Sequence, residues 1–127
     1  MSILPQLTNL GKLDIIEIYV YYDRPCLFSC RNLTGHLFLA VWIDETKIED
    51  IWLYVPISEG RFQSIRSGEI DLRDAFLKSE DSFVYKVTIP QKNRLSMVET
   101  IQSDRLNEDW LPVAGEYLEC ETQELVT

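Results

Sequence analysis

The one histidine of this chain, His36, lies within a few residues of Cys26, Ser29 and Cys30. Two kinds of chemistry could use that grouping. The spacing C-x3-C-x5-H offers two thiolates and an imidazole to a zinc ion, whose sites usually pair cysteines two to four residues apart in a loop or knuckle. Here the cysteines fall in apolar, strand-like sequence and no second pair follows, so buried thiols are the better reading. No metal and no cofactor is expected. Alternatively, Ser29 or Cys30 could act as nucleophile with His36 as base across a short hairpin. No nucleophile elbow or other catalytic signature surrounds them, and a histidine beside a turn glycine, Gly35, is more simply a surface residue. A small hydrolase or transferase built on His36 with Ser29 or Cys30 is therefore an alternative reading.

Three other clusters carry potential chemistry. Asp44, Glu45, Glu49 and Asp50 crowd one turn, yet they lack the glycine and alternating spacing of a calcium loop, so a solvated hairpin tip is expected. Arg61, Arg66 and Arg73 sit beside Ser58, Ser64 and Ser67 and could together receive a phosphate or a partner's carboxylate. Glu59, Glu69, Asp71 and Asp74 are interleaved with them, which favours internal pairing. The aromatic residues are the third cluster. Tyr19 and Tyr21 share a mixed strand face with Glu17, which makes them the candidates for an exposed aromatic patch of the kind enriched in protein interfaces.

The elements that must position these residues are legible from patterning. His36 to Ile57 is the centre of the chain. It contains two strands, apolar on both alternating faces, joined by the charged turn from Asp44 to Asp50. A strand apolar on both faces is covered on both faces, so this hairpin belongs in the middle of a sheet. Leu13 to Tyr22 is rich in β-branched and aromatic residues and predicts a first strand. Cys26 to Arg31 predicts a second, after a turn at Pro25. Ser58 is a good N-cap for a short helix carrying Phe62 and Ile65 on one face, with Gly68 as its stop. Asp71 opens a second short helix with Leu72, Ala75 and Phe76 on one face. Phe83 to Ile89 alternates like a half-exposed edge strand, where Lys86 would discourage further pairing. Leu95 to Ile101 fits helix or strand, with strand preferred. Asp104 to Trp110 predicts a helical turn, Val113 to Cys120 a last short strand, and Ser2 to Leu10 a short helix or extended arm. The expected fold is a single α+β domain over residues 1–127, with a central antiparallel sheet of five to six strands. Two short helices are inserted between the fourth and fifth strands.

The totals exclude some functions. One domain is what 127 residues allow, and 46% hydrophobic content argues against disorder. The longest apolar run, Leu37 to Ile43, is far short of the ~20 residues that span a bilayer. The opening residues have no basic region followed by an apolar one, so no secretory signal is expected. No membrane association is expected either, and the cytoplasm is the default location. Three cysteines do not make a disulfide framework. The net charge is −9, unevenly placed: residues 44–81 carry ten acids and five bases, and residues 98–127 carry eight acids and one base. Most of such a surface repels a phosphate backbone, so nucleic acid is not an expected partner.

The segments Tyr22-Asp23-Arg24-Pro25, Leu27-Phe28-Ser29-Cys30, Trp42-Ile43-Asp44, Trp52 to Ser58 and Ile65 to Phe76 resemble a family of small bacterial proteins built on a domain of unknown function. The resemblance covers about residues 13–90, with the acidic part, 98–127, matching less clearly. It implies a bacterial or phage source and a cytoplasmic domain, and it brings no catalytic residues with it. The expected function is a non-enzymatic protein-interaction module, binding a protein partner or its own copies, in a setting such as a defence or conflict system. An acidic mimic of nucleic acid is the other alternative, and it requires carboxylates spaced along one face.

Overall fold

A computed structural model describes residue 4, residues 10–90 and residues 96–119. Six strands follow one another in sequence and in space: β1 (Leu13–Tyr21), β2 (Pro25–Asn32), β3 (Leu37–Glu45), β4 (Glu49–Ile57), β5 (Phe83–Pro90) and β6 (Met97–Gln102). Every neighbouring pair is antiparallel. Helices α1 (Glu59–Arg66) and α2 (Leu72–Leu77) lie between β4 and β5. This is the expected α+β architecture, with the tryptophan-bearing hairpin at its centre. Trp42 and Trp52 are direct cross-strand partners.

Both faces of the central hairpin are covered. On one face Leu39, Leu53 and Val55 pack against Phe62, Ile65 and Phe76 of the helices, and Leu106, Leu111 and Leu118 join them. On the other face Phe28, Cys30, Trp52, Tyr54 and Val87 form a second cluster, which Leu4 and Leu10 touch. Phe28 meets Tyr54 edge-on at 5.9 Å between ring centroids, an arrangement that suits the quadrupoles of both rings. Pro56 lies beyond the last β4–β5 pair, Tyr54 with Tyr85.

The helices begin and stop where local chemistry dictates. The Ser58 side chain accepts from the Arg61 amide, and the Asp71 side chain accepts from the Asp74 amide. Gly68 has φ +85°, a conformation that costs a side-chain-bearing residue. Glu80 reaches back to bond both the amide and the hydroxyl of Ser58, which ties the two ends of the helical segment together.

Three expectations fail. β5 is not an edge strand: β6 pairs with it from Phe83 to Thr88, and Val84 and Val87 are both fully buried, one on each side of the sheet. Residues 113–119 form no strand: there is a turn at residues 114–115, and the Gly115 amide and Glu116 carbonyl bond Asp71 and Leu72 at the start of α2. The Asp44–Asp50 turn is not wholly solvated, since Asp50 is only 2% exposed. Leu95 to Ile101 does resolve as strand from Met97 onward, and Asp104 to Trp110 contains two single 3-10 turns. The expectations for Ser2 to Leu10 fall outside the described residues except at Leu4 and Leu10, as do those for Cys120 and the tail beyond it.

Candidate functional site

β1 forms one edge of the sheet and carries two bulges. Ile16 and Tyr19 have no partner on β2, and each shifts the register by one residue. A bulge moves the following side chains to the opposite face. Ile15 therefore faces with Cys30, Glu17 with Ser29, Ile18 with Phe28 and Val20 with Leu27. The two tyrosines of the expected patch differ in exposure. Tyr19 is half-buried, and its hydroxyl shares a 2.9 Å hydrogen bond with the fully buried Ser29. Tyr21 is exposed, and the side chains beside it are Ile16, Ile18, Val20 and Tyr22. The edge thus carries a strip of exposed apolar side chains that is divided between the two sides of the sheet, with Ile16, Ile18 and Val20 between 41% and 48% exposed and Tyr21 and Tyr22 at 67% and 75%. Two-residue alternation would put Ile16, Ile18 and Val20 on one face; the bulge at Tyr19 turns Val20 to the face opposite Ile18.

Beside that strip, on the helix face, run two adjoining hollows of about 340 and 440 Å³. They share Val20, Leu27, Leu72 and Glu116. The far wall is the segment from Asp109 to Glu119, and α2 holds it in place. The Asp71 carboxylate caps its own helix and also accepts from the Gly115 amide at 2.9 Å. The Leu72 amide donates to the Glu116 carbonyl, and Arg73 bonds the Pro112 carbonyl and the Glu108 carboxylate. Those amide protons of Gly115 and Asp74, in that order, hold the Asp71 carboxyl below its usual range. Trp42 and Trp110 line the first hollow, and Tyr19 and Tyr117 the second. The exposed carboxylates of Asp109, Glu116 and Glu119 stand on the rim, and among the described residues none of the three is in an ion pair.

Trp42 is placed by a buried acid. Its indole nitrogen donates to Asp50 at 3.3 Å, while the Arg24 guanidinium lies 4.6 Å from the Trp42 ring, 3.1 Å from Glu45 and 3.7 Å from Asp50. Arg24 belongs to the β1–β2 turn and Asp50 to β4. Two turns far apart in sequence therefore meet around one tryptophan.

The arginines are not brought together. Arg61 donates to the Asp74 and Lys78 carbonyls at the end of α2. Arg66 pairs with Glu17 of β1 at 2.7 Å, and Arg73 is used by the far wall of the groove. Each serves a separate internal contact, with distant carboxylates or backbone carbonyls in place of the interleaved acids. Nor is His36 brought to a nucleophile. It is exposed, and its Nδ1 bonds the Thr34 hydroxyl at 2.8 Å. Ser29 pairs with Leu39 and Cys30 with Phe38, so His36 lies three and two positions along the strand from them. Burial pushes the Cys30 thiol up to about 12, far from the thiolate a nucleophile needs. Among the described residues, no group of three His, Cys, Asp or Glu side chains is placed to hold a metal ion, and no helix is long and apolar enough to cross a membrane. The carboxylates do not form a free row: Glu17, Glu45, Glu59, Asp74, Glu99 and Glu108 each lie within 4 Å of a basic side chain.

Comparison by family shows where the chain belongs. A model built for a family of unknown function, DUF6575, matches residues 1–125. The chain is a member of the DUF6575 family. The match extends beyond the 13–90 stretch that carried the sequence resemblance and takes in the far wall of the groove. No curated protein and no solved structure matches the chain. For this DUF6575 member the geometry of the groove is therefore the guide to function.

Proposed function

We propose that the chain is a cytosolic, non-enzymatic protein-interaction module of bacterial or phage origin, and that the β1 edge with its adjoining groove is the docking line. The observation that carries this reading is the run of exposed apolar side chains along the β1 edge, Ile16, Ile18, Val20, Tyr21 and Tyr22, beside hollows lined by Val20, Trp110 and Tyr117. Exposed apolar surface on a sheet edge is costly to maintain unless something covers it. Large aromatic side chains bring most contact area for the least loss of side-chain freedom on binding. The free thiols of Cys26 and Cys30 suit a reducing compartment. The nucleic-acid-mimic reading draws less support, because many carboxylates are engaged in ion pairs.

The test is capture from the source cell's lysate by the full chain, with the Tyr21→Ser/Tyr22→Ser variant as control. Both tyrosines are exposed, so the variant should keep the fold while losing the captured protein. A chain that is monomeric and retains no protein above background, or a variant that retains it undiminished, would refute the assignment.

A further inference from the structure

We infer that residues 107–119 form a strap that lifts off as one unit while the sheet and both helices stay folded, and that it controls access to the two hollows beneath it. The device is independent of the docking reading: the strap opens whether or not anything binds β1.

The anchor of the strap is fixed. The Ser103 amide donates to the Ser82 carbonyl, the Ser103 hydroxyl shares a hydrogen bond with that of Ser79, and Leu106 is buried. Beyond Leu106 the chain is held more lightly. Of residues 107–119, nine are exposed, two are half-buried, and only Leu111 and Leu118 are buried. Their regular structure is a single 3-10 turn, Glu108–Trp110. Beneath them the hollows of about 340 and 440 Å³ stand where close packing would be. Asp109 to Pro112 wall the first hollow and Gly115 to Tyr117 the second. Side chains that face a void forgo dispersion contacts on that side. Few buried apolar contacts and much exposed backbone mark a segment that opens at less free energy than global unfolding requires.

The catch is three consecutive residues at the start of α2. The Asp71 carboxylate accepts from the Gly115 amide at 2.9 Å, and the Leu72 amide donates to the Glu116 carbonyl at 2.8 Å. Arg73 donates to the Pro112 carbonyl at 3.2 Å and to the Glu108 carboxylate at 2.6 Å. The Leu72 amide belongs to the first helical turn, whose donors lack partners within the helix. Water can replace the strap at each of these groups, so every tie is worth only the modest net amount of a solvent-exchangeable hydrogen bond. The Glu108 side chain is 78% exposed, so salt screens its pair with Arg73. One helix end grips Glu108, Pro112, Gly115 and Glu116 together, and this joint grip makes opening concerted. The uncovered surface is apolar, because Val20, Leu27 and Leu72 line both hollows.

Native-state hydrogen exchange of the full chain, read by NMR, tests the strap. The Gly115 and Leu72 amides report the catch from its two sides. Corrected for intrinsic rates, both should exchange with one common opening equilibrium, about a hundredfold more open than that of Leu39 and Val55 in the sheet interior, and with weaker urea dependence. Arg73→Ala cuts two ties and should speed both amides about tenfold, leaving the sheet amides unchanged. Glu108→Gln, at an exposed position that leaves folding intact, should speed both to a smaller extent. About 0.5 M sodium chloride should do the same to the parent but not to Glu108→Gln. Nile red, a neutral apolar dye, should bind Arg73→Ala more than the parent at equal concentration. If Gly115 and Leu72 match the sheet amides in rate and urea dependence, the segment is part of the global core and the strap is overturned. Gly115 and Leu72 rates that differ and respond separately to Arg73→Ala would show independent fraying, which overturns the concerted opening. Faster exchange in Arg73→Ala with no gain in Nile red binding would overturn the control of access.

Discussion

Replacing Asp50 tests whether a buried acid holds the groove tryptophan in place. Asp50 is 2% exposed, accepts from the Trp42 indole at 3.3 Å and faces Arg24 at 3.7 Å. In Asp50→Ala the indole N–H loses its acceptor and Arg24 loses its more buried counter-charge. A hydrogen bond to a charged group contributes ~1.5–3 kcal/mol. Removing one member of a buried ion pair costs ~3–5 kcal/mol. The upper range does not apply here, because Arg24 keeps Glu45 at 3.1 Å and remains partly exposed. About 2–3 kcal/mol is therefore expected for Asp50→Ala. Asp50→Asn, which keeps an acceptor for Trp42, should cost only about 1 kcal/mol. The unfolding entropy of a chain of 127 residues, ~0.27 kcal/mol per degree, converts these to drops in midpoint of about 7–11 and 4 °C. Relief of the −9 net charge acts in the opposite direction but only weakly, over one unit. Urea and thermal unfolding followed by tryptophan fluorescence measure the effect. Asp44→Asn, at the exposed end of the same hairpin, serves as a control that should stay within ~0.5 kcal/mol of the parent. An Asp50→Ala protein as stable as that control would refute the argument that this carboxylate organises Trp42 and Arg24.

Three further outcomes are expected. Asp71→Ala removes both the α2 cap and the tie to Gly115, and should lower stability at pH 7 by ~1–2 kcal/mol. Because folding lowers the Asp71 pKa from 3.8, its contribution is present above that value and is lost as pH falls through the folded pKa. The gap in urea midpoint between parent and variant should accordingly narrow as the pH is lowered below 3.8, and a gap that stays constant through that acid range would contradict the assignment. Cys30, buried with its thiol pushed up to about 12, should be alkylated at pH 8 only as fast as the chain unfolds, whereas half-buried Cys26 reacts sooner. Mass spectrometry of the labelled peptides separates the two sites, and equal rates would rule the burial argument out. Phe76→Ala empties a fully buried site between α2 and the sheet and should cost ~3–5 kcal/mol by urea unfolding. A loss under 1 kcal/mol would mean that α2 is not held by this ring.

The features that could be read from sequence depend on neighbours within a few residues. Ser58 and Asp71 cap because their side chains reach amides three positions on, and Gly68 stops α1 because its own backbone takes positive φ. The central hairpin was legible for a related reason. Strands apolar on both faces have no stable place except a sheet interior, whatever the rest of the chain does. The arginines are used internally, but not by the acids interleaved with them: Arg66 reaches Glu17, Arg73 reaches Glu108, and Arg61 bonds backbone carbonyls.

The proposed docking surface was decided elsewhere. Phe83–Pro90 resembled an edge strand because its own residues cannot reveal that β6 will pair with it. Tyr19 lies on the Glu17 side, as expected, but it is half-buried there, because its ring packs on the helix-face core and its hydroxyl reaches Ser29, contacts that leave no mark in the β1 sequence. Asp50, a β4 residue, is buried where Trp42 donates to it and Arg24 arrives from the β1–β2 turn, contacts its own sequence neighbours do not reveal. The groove itself requires Asp71 to hold Gly115, 44 residues away. By itself, the sequence determined the strands, the caps and the sheet's centre, since those follow from short-range sterics and from which faces avoid water. Only tertiary structure decided which apolar side chains stay exposed and which carboxylates lack a cation, because both depend on segments distant in sequence closing around one edge.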